Sequence, residues 1–342
     1  MSQAPKDRIL LVTPGGSFFT DPFKRAFEHF GYECKVFDHR QGAVFTNKFL
    51  RRVLNRFSVL KFIKRWQIKK TNRLLLELVS SYKPRYLFAQ KGESIYPETI
   101  KEIKKMEVTT INFYNDMMNQ WHFISKVAPV YDYFFPVDRV VLRRLRYELG
   151  LKNCFYMASA TEPMADPFTN RQDMYDVSFI GQYNGGQYSK REKYMKSISD
   201  LDLNIWGTKG WTKTPLVKLF HGPSVGDQRF DIYSHSKIVL DTTWDLMPTE
   251  FVASRTFEAM GCGAMFMTDY AREGKQTYIE GREIVLFKDE KELREKIMYY
   301  LKHDKEREEI AKAGYAKTVA QHTYNERVKQ MFNIIENQEP TF

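Results

Sequence analysis

Two glutamates eight positions apart, Glu250 and Glu258, stand in the stretch TEFVASRTFEAMGCG over residues 249–263. The second belongs to a short helix-like run that stops at Gly261 and Gly263 and passes at once into an apolar segment, AMFMT. A helix N-terminus offers unpaired backbone N–H groups and a positive dipole end, which suit a phosphate. A carboxylate one or two turns along can accept hydrogen bonds from sugar hydroxyls. Together these features point to a site for a nucleotide or nucleotide sugar, built between two strands of an α/β domain. The plain alternative is an amphipathic helix whose glutamates face water. Against it, Glu258 lies between Phe257 and Ala259-Met260, and the Gly-x-Gly turn leads into a strand that reads as buried, so the helix should sit on a sheet.

Other residues could serve the same chemistry. In TPGGSFFTDP (13–22), Gly15 and Gly16 permit close backbone approach to a ligand, and the helix that follows points its N-terminus at it. An ordinary βα turn would use the same pair, and GG is not a GxGxxG fingerprint. Lys190 and Arg191 open the helix after IGQYNGG. Cations at a helix start oppose the dipole, a cost that a diphosphate bridging them would offset; a solvated KREK run accounts for them equally. Arg255, beside the glutamates, is a further phosphate contact. Asp116, in INFYNDMMNQWH, lies just past a strand end, where it could contact a sugar, take an acceptor's proton, or simply cap a helix. His122 is a lesser candidate for that work.

Nothing in the chain reads as a metal or cofactor site. Cys34, Cys154 and Cys262 are far apart and read as buried free thiols, and the seven histidines show no ligand-spaced cluster. Asp200-Leu201-Asp202 has the form of a DxD metal motif but falls where a strand is expected to begin, and reads as a solvated strand entry.

The elements that must position these residues alternate. In the first half, 8–13, 33–37, 85–90, 109–114 and 131–136 read as strands, with helical segments at 20–31, 48–82, 96–106 and 139–149. A second alternation follows a stretch rich in Pro and small residues. Its strands are 175–181, 203–206, 237–241, 264–268 and 283–287, and its helices 188–199, 227–236, 254–262, 289–302 and 304–321, with a last helix near 323–337. Strands alternating with helices imply parallel sheets covered on both faces. The expected division is a first domain over 1–160, a linker over 161–172, a second domain over 173–322 and a terminal helix over 323–342. Ligands of such sheets bind beyond the carboxyl ends of the strands, so the loops after 8–13, 109–114, 175–181 and 237–241 should line the site.

At 342 residues, with 43% hydrophobic and 15% aromatic residues, the chain suits two globular domains with good cores and excludes a disordered protein. It holds no apolar run of membrane-spanning length and opens without a signal-peptide pattern, so a cytoplasmic place is expected. The net charge of +11 is local: the segment from His39 to Leu76 holds eleven Lys or Arg and no acid, which leaves the rest neutral. Within it Leu50, Val53, Leu54, Phe57, Leu60, Ile63 and Trp66 recur at steps of three and four, forming one apolar stripe if helical, with Arg51, Arg52, Arg56, Lys64, Arg65 and Lys69 largely off it. The stripe can pack on a sheet or lie in a membrane surface. In either case the cations form one patch that expects an electrostatic partner. An anionic membrane met through residues 48–73, peripheral at the inner membrane surface, is the favoured partner, with nucleic acid as the rival.

EAMGCGAMFMTD is similar to the EAMACG-type signature of retaining GT-B glycosyltransferases, including their Glu-x7-Glu spacing. The motifs YDVSFIGQYNGG, LNIWG, YSHSKIVLD, SRTFEAMGCGAMFMTD, GREIVLFKDEKELREKIMYYL and HTYNERV resemble, in that order, the CgeB-like (spore-maturation type) branch. The resemblance covers about residues 175–330 and is fainter before them. It implies an α/β protein of GT-B type, two Rossmann-like domains facing a central cleft, with the terminal helix crossing back to the first domain. It implies a hexosyltransferase-like enzyme that moves a sugar from a nucleotide-diphosphate sugar, most simply a UDP-sugar, to an envelope glycan, lipid-linked glycan or protein. Retention of configuration and independence of metal are implied too. Glu258 then matches the glutamate that holds the ribose, as a partly wet carboxylate. Glu250 matches the one that approaches the donor sugar, and Lys190 and Arg191 match cations on the diphosphate. The family's Glu-Gly-Phe-Gly is replaced here by Glu250-Phe251-Val252-Ala253, which puts the role of Glu250 in question. A DNA glycosyltransferase using the basic segment, a GT-B-like epimerase or phosphorylase, and a non-catalytic docking scaffold are the alternatives.

Overall fold

The apolar runs do pair as strands, and every pairing is parallel. A computed structural model gives the structure over residues 7–40, 59–116, 118–185, 189–224, 226–242, 250–269 and 277–337. The chain divides into two units: Met1–Met157 with Val328–Phe342, and Ala158–Arg327.

Unit 1 holds β1 (Arg8–Thr13), β2 (Glu33–Asp38), β3 (Tyr86–Gln90), β4 (Thr109–Tyr114) and β5 (Tyr133–Pro136), in the order β2-β1-β3-β4-β5. Its helices are α1 (Thr20–His29), α2 (Val59–Tyr82), α3 (Pro97–Lys104), α4 (Trp121–Val127) and α5 (Arg139–Tyr147). The inner strands β1, β3 and β4 are buried almost throughout because helices cover both faces, while every residue of edge strand β2 is exposed or half-buried. Phe23 and Phe27 of α1 meet Phe88 of β3 with ring centroids 4.8 and 5.2 Å apart, anchoring the helix to the sheet.

Past Arg40, the basic segment is described only from Val59 onward, where it is helical. The cations Arg51, Arg52 and Arg56 and the stripe residues Leu50, Val53, Leu54 and Phe57 lie outside the described residues. Helix α2 packs through Thr71, Asn72, Leu75 and Val79, and Asn72 pins it by donating to Ser94 O at 2.8 Å and accepting from Tyr96 N at 2.9 Å. Trp66 precedes Leu75 by nine residues, which is two and a half helical turns, so the two point to opposite sides. Trp66, the last residue of the stripe, therefore faces away from the packed side of α2 and is 58% exposed.

Unit 2 holds β6 (Tyr175–Gly181), β7 (Leu203–Gly207), β8 (Ser236–Asp241), β9 (Met265–Asp269) and β10 (Val285–Phe287), in the order β10-β9-β8-β6-β7. Its helices are α6 (Ser189–Ser197), α7 (Gln228–Ser234), α8 (Ser254–Gly261), α9 (Glu290–Lys302) and α10 (Asp304–Gln321). Helix α11 (Tyr324–Asn337) starts in this unit and belongs to unit 1 from Val328 onward, where Phe332 stacks on Tyr32 with centroids 4.8 Å apart. The segment 161–172 lies with unit 2: Thr161 N donates to His322 O, and Arg171 donates to Gly263 O and Ser236 O. Asp200 and Asp202 are engaged where the chain turns into β7, Asp200 by Arg294 at 2.5 and 2.6 Å and Asp202 by Asn204 at 3.0 Å. Among the described residues no helix is long and apolar enough to cross a membrane.

Both sheets place their first strand between the second and the third. At that reversal the loops after the first and third strands diverge and leave a crevice at the carboxyl ends, where ligands of open α/β sheets bind.

Candidate functional site

In unit 2 the crevice lies between β6 and β8. Asp241 ends β8 and Asp269 ends the adjacent β9, both buried. Arg255, in the first turn of α8, donates to Asp241 Oδ1 and to Ile180 O, each at 3.1 Å. Lys190, from the first turn of α6, donates to Asp269 Oδ2 at 2.9 Å while its side chain stays 43% exposed. Arg191 is only 4% exposed and spans the reversal: it donates to Gln182 O on the β6 side, and to Thr242 Oγ1 at 2.9 Å and Thr242 O at 3.1 Å on the β8 side. Three of the residues proposed from sequence as phosphate contacts thus converge on the ends of two adjacent strands, β8 and β9. Their roles differ, because Lys190 and Arg255 offer charge at a partly open edge and Arg191 ties two loops together.

The electrostatics follow from this packing. Burial raises the Asp241 carboxyl above its usual range, opposed by Arg255 and Arg191. Burial works against the Lys190 ammonium, but the hydrogen bond and charge of Asp269 outweigh it and raise its pKa. Asp241 thus holds Arg255 and Asp269 holds Lys190, while Gln182 and Thr242 hold Arg191. A diphosphate arriving at this edge meets positioned charge and need not order flexible side chains.

Glu258 does not face water. It is 6% exposed within α8, whose residues Thr256–Gly261 are all buried, and it pairs with Arg229 at 3.2 Å. Burial raises its pKa, opposed by Arg229 and Arg255. The water-facing alternative and the expected partly wet carboxylate are both corrected: the helix is enclosed on all sides, so its only charged residue past the first turn needs a buried partner. No side chain caps α8, which leaves its first amides to other acceptors. Glu250 is buried just ahead of it, beside 243–249, which lie outside the described residues. Gly207, at φ +151°, lets the β7 loop reach β6: a Cβ there would lie 1.9 Å from Gly181 O.

The other proposed residues lie in unit 1. Asp116, just past β4, accepts from Lys91 Nζ at 2.7 Å, and His122 is exposed in α4. Gly15 N donates to Asp38 Oδ1 at 2.6 Å, and a Cβ on Gly15 would sit 2.1 Å from Asp38 Oδ2. The Gly15-Gly16 turn is therefore closed over a carboxylate, an arrangement that disfavours a phosphate on the same amide. Ser17 Oγ donates to Gln90 Oε1 at 2.9 Å across the β1/β3 reversal. His39 is 1% exposed with no hydrogen-bond partner on either ring nitrogen, and burial lowers its pKa.

Sequence reasoning missed Asp241, Asp269, Arg229 and Lys91. Each acts through a partner at least 14 residues away. The one available signal was position, since Asp241 and Asp269 are the last residues of predicted strands or follow them directly. Among the described residues no group of three or more His, Cys, Asp or Glu could hold a metal ion. The free thiols of Cys34, Cys154 and Cys262 are each pushed up to about 12 by burial, which keeps them protonated and unreactive.

Residues 190–333, which carry this strand-end cluster, match a family model described as glycosyl transferase-like. Comparison with curated proteins gives no significant match. Solved structures match along the whole chain. A sucrose-phosphate synthase from Thermosynechococcus elongatus aligns with a TM-score of 0.68 at 11% identity, over 97% of this chain and 99% of that one. A glycosyltransferase from Rickettsia africae aligns with a TM-score of 0.66 at 10% identity, over 98% and 99%. Anabaena HepE in complex with UDP-glucose aligns with a TM-score of 0.61 at 11% identity, over 96% and 99%. With its two parallel five-stranded units and its glycosyl transferase-like residues 190–333, this chain has the fold of the GT-B glycosyltransferases.

Proposed function

We propose that the protein is a glycosyltransferase that moves a sugar from a nucleotide-diphosphate sugar, specifically a UDP-sugar, to an envelope glycan, lipid-linked glycan or protein. The observation that carries this reading is the cluster of Lys190 held by Asp269, Arg255 held by Asp241 and Arg191 held by Thr242 beside the β6/β8 reversal, inside the matched residues. Lys190 and Arg255 meet the leaving diphosphate, and Arg191 holds the two loops around it. Glu258, backed by Arg229, receives the ribose hydroxyls, and Glu250 approaches the donor sugar. Asp116 with Lys91 meets the acceptor hydroxyl. The HepE structure, which holds UDP-glucose, supports the donor class, and the ordered motifs of residues 175–330 support the CgeB-like branch and retention of configuration. Catalysis on this scheme rests on positioning and on charge set against the leaving group.

A panel of UDP-, GDP- and dTDP-sugars scored for nucleotide release tests the reading. Release from a UDP-sugar is expected, and release from none of them would leave a docking scaffold. Turnover is expected to persist in excess EDTA, because the cations already match the diphosphate charge. Complete loss that Mg²⁺ or Mn²⁺ restores would overturn that account. Glu258→Gln keeps the side chain's size but removes its charge. It is expected to weaken nucleotide binding by about 1.5–3 kcal/mol, the range for hydrogen bonds to a charged group. Calorimetric titration of the folded variant measures it, and unchanged affinity would remove Glu258 from the site.

A further inference from the structure

The exposed face of α2 has a composition that solvation alone does not explain. Phe62 and Trp66 are one helical turn apart and 74% and 58% exposed. Both lie on the side opposite Leu75 and Val79, through which the helix packs. An ordinary solvated helix face carries single apolar residues among charges of both signs. Here two large aromatic side chains stand together, and the charges around them have one sign. Arg65, Lys69, Lys70 and Arg73 lie around them, and all are exposed. Lys70 Nζ sits 5.5 Å from the Trp66 ring centroid. The only acid in the sequence of α2 is Glu77, which pairs with Arg73 at 3.4 Å.

We propose that this face of α2 is a docking surface for an anionic lipid bilayer, with Phe62 and Trp66 entering the headgroup–acyl boundary and the cations set against lipid phosphates. Indole and phenyl rings partition into that boundary, where an apolar body and a wet surrounding coexist. Cations flanking them gain from the negative surface potential of an anionic leaflet. Lys and Arg also lay their alkyl stems along apolar surface while their heads stay in water, so they extend the inserted patch rather than interrupt it. A nucleic acid would use the same cations but would gain little from burying Phe62, and this separates the two partners experimentally. The inference stands apart from the donor chemistry, since lipid binding is read without turnover.

The test is sedimentation of the full chain with vesicles of phosphatidylcholine alone and of phosphatidylcholine mixed with phosphatidylglycerol, beside a DNA mobility shift at equal salt. Binding to the mixed vesicles that falls with added salt is expected, with weak or no binding to phosphatidylcholine alone. The double variant Phe62→Ser/Trp66→Ser is expected to lower the partition coefficient at least about tenfold. Lys69→Glu/Lys70→Glu is expected to lower it at least about thirtyfold. All four side chains are exposed, so both variants should unfold at the wild-type urea midpoint, and that measurement confirms that they fold. No binding to the mixed vesicles, or binding unchanged in both variants, would overturn the proposal. DNA binding that needs Lys69 and Lys70 but not Phe62 and Trp66, without vesicle binding, would overturn it in favour of a nucleic acid.

Discussion

Acidification from about pH 7 to about pH 4 will cost unit 2 about 3 kcal/mol through His322 alone. His322 follows α10 and is buried, with its ring packed on Phe257 and Tyr278 at centroid distances of 4.7 and 5.4 Å. Its Nδ1 accepts from Arg327 Nη2 at 2.7 Å, and its Nε2 has no partner. A protonated ring could not accept from that guanidinium and would carry a charge directly beside it. Its pKa is accordingly lowered to about 3, by burial first and then by the charges of Arg327 and Lys317. In the unfolded chain the ring titrates near about 6.5. Between those values the unfolded state binds a proton that the native state refuses. The contribution is therefore complete above the unfolded pKa and is lost as pH falls toward the folded one.

Asp241 and Glu258, whose pKa values burial raises, contribute with the opposite sign and gain stability on acidification. A comparison with His322→Gln isolates the histidine, because the amide oxygen can still accept from Arg327 without titrating. Urea unfolding of both proteins across this range should give curves that diverge as the pH falls. Parallel curves would show that His322 is not the acid-sensitive group.

Arg191→Met is expected to lower the stability of unit 2 by about 3–5 kcal/mol, the cost of breaking a buried charged network, and its Tm by about 10 °C. The substitution leaves Gln182 O and Thr242 O without this donor and removes one of the cations that act on Asp241. It also frees the two loops that flank the β6/β8 reversal. Lys190→Met is the control. Its ammonium is partly exposed, although its partner Asp269 is buried, so it should cost less stability than Arg191→Met and act mainly on nucleotide affinity. Thermal melts and nucleotide titrations of the two variants separate the roles. If Arg191→Met melts with the wild type, Arg191 is a ligand contact rather than a tie.

Hydrophobic patterning is local, so the sequence by itself determined the alternation of strands and helices. RILLVT and KIVLD read as buried parallel strands because their residues are apolar on both faces. The same locality made Lys190, Arg255 and Glu258 visible as candidates, since a helix start and a Gly-x-Gly stop can be read from neighbouring residues. Only the tertiary structure decided what those residues touch. The register that sets Asp241 beside Thr268 brings Asp241 and Asp269 to one edge, and nothing near either residue in the chain encodes that. The packing of α7 against α8 supplies Arg229 to Glu258 and makes buried a carboxylate expected to be wet. Gly15 reads equally well as a phosphate cradle or a plain turn, until β2 delivers Asp38 onto its amide. In α2, the stripe that ends at Ile63 and Trp66 and the packed set of Leu75 and Val79 are equally apolar in sequence, but the sheet lies on one side of the helix only. Side-chain chemistry and short-range period are written in consecutive residues, whereas partner, burial and the choice of face depend on strands and helices tens of residues away.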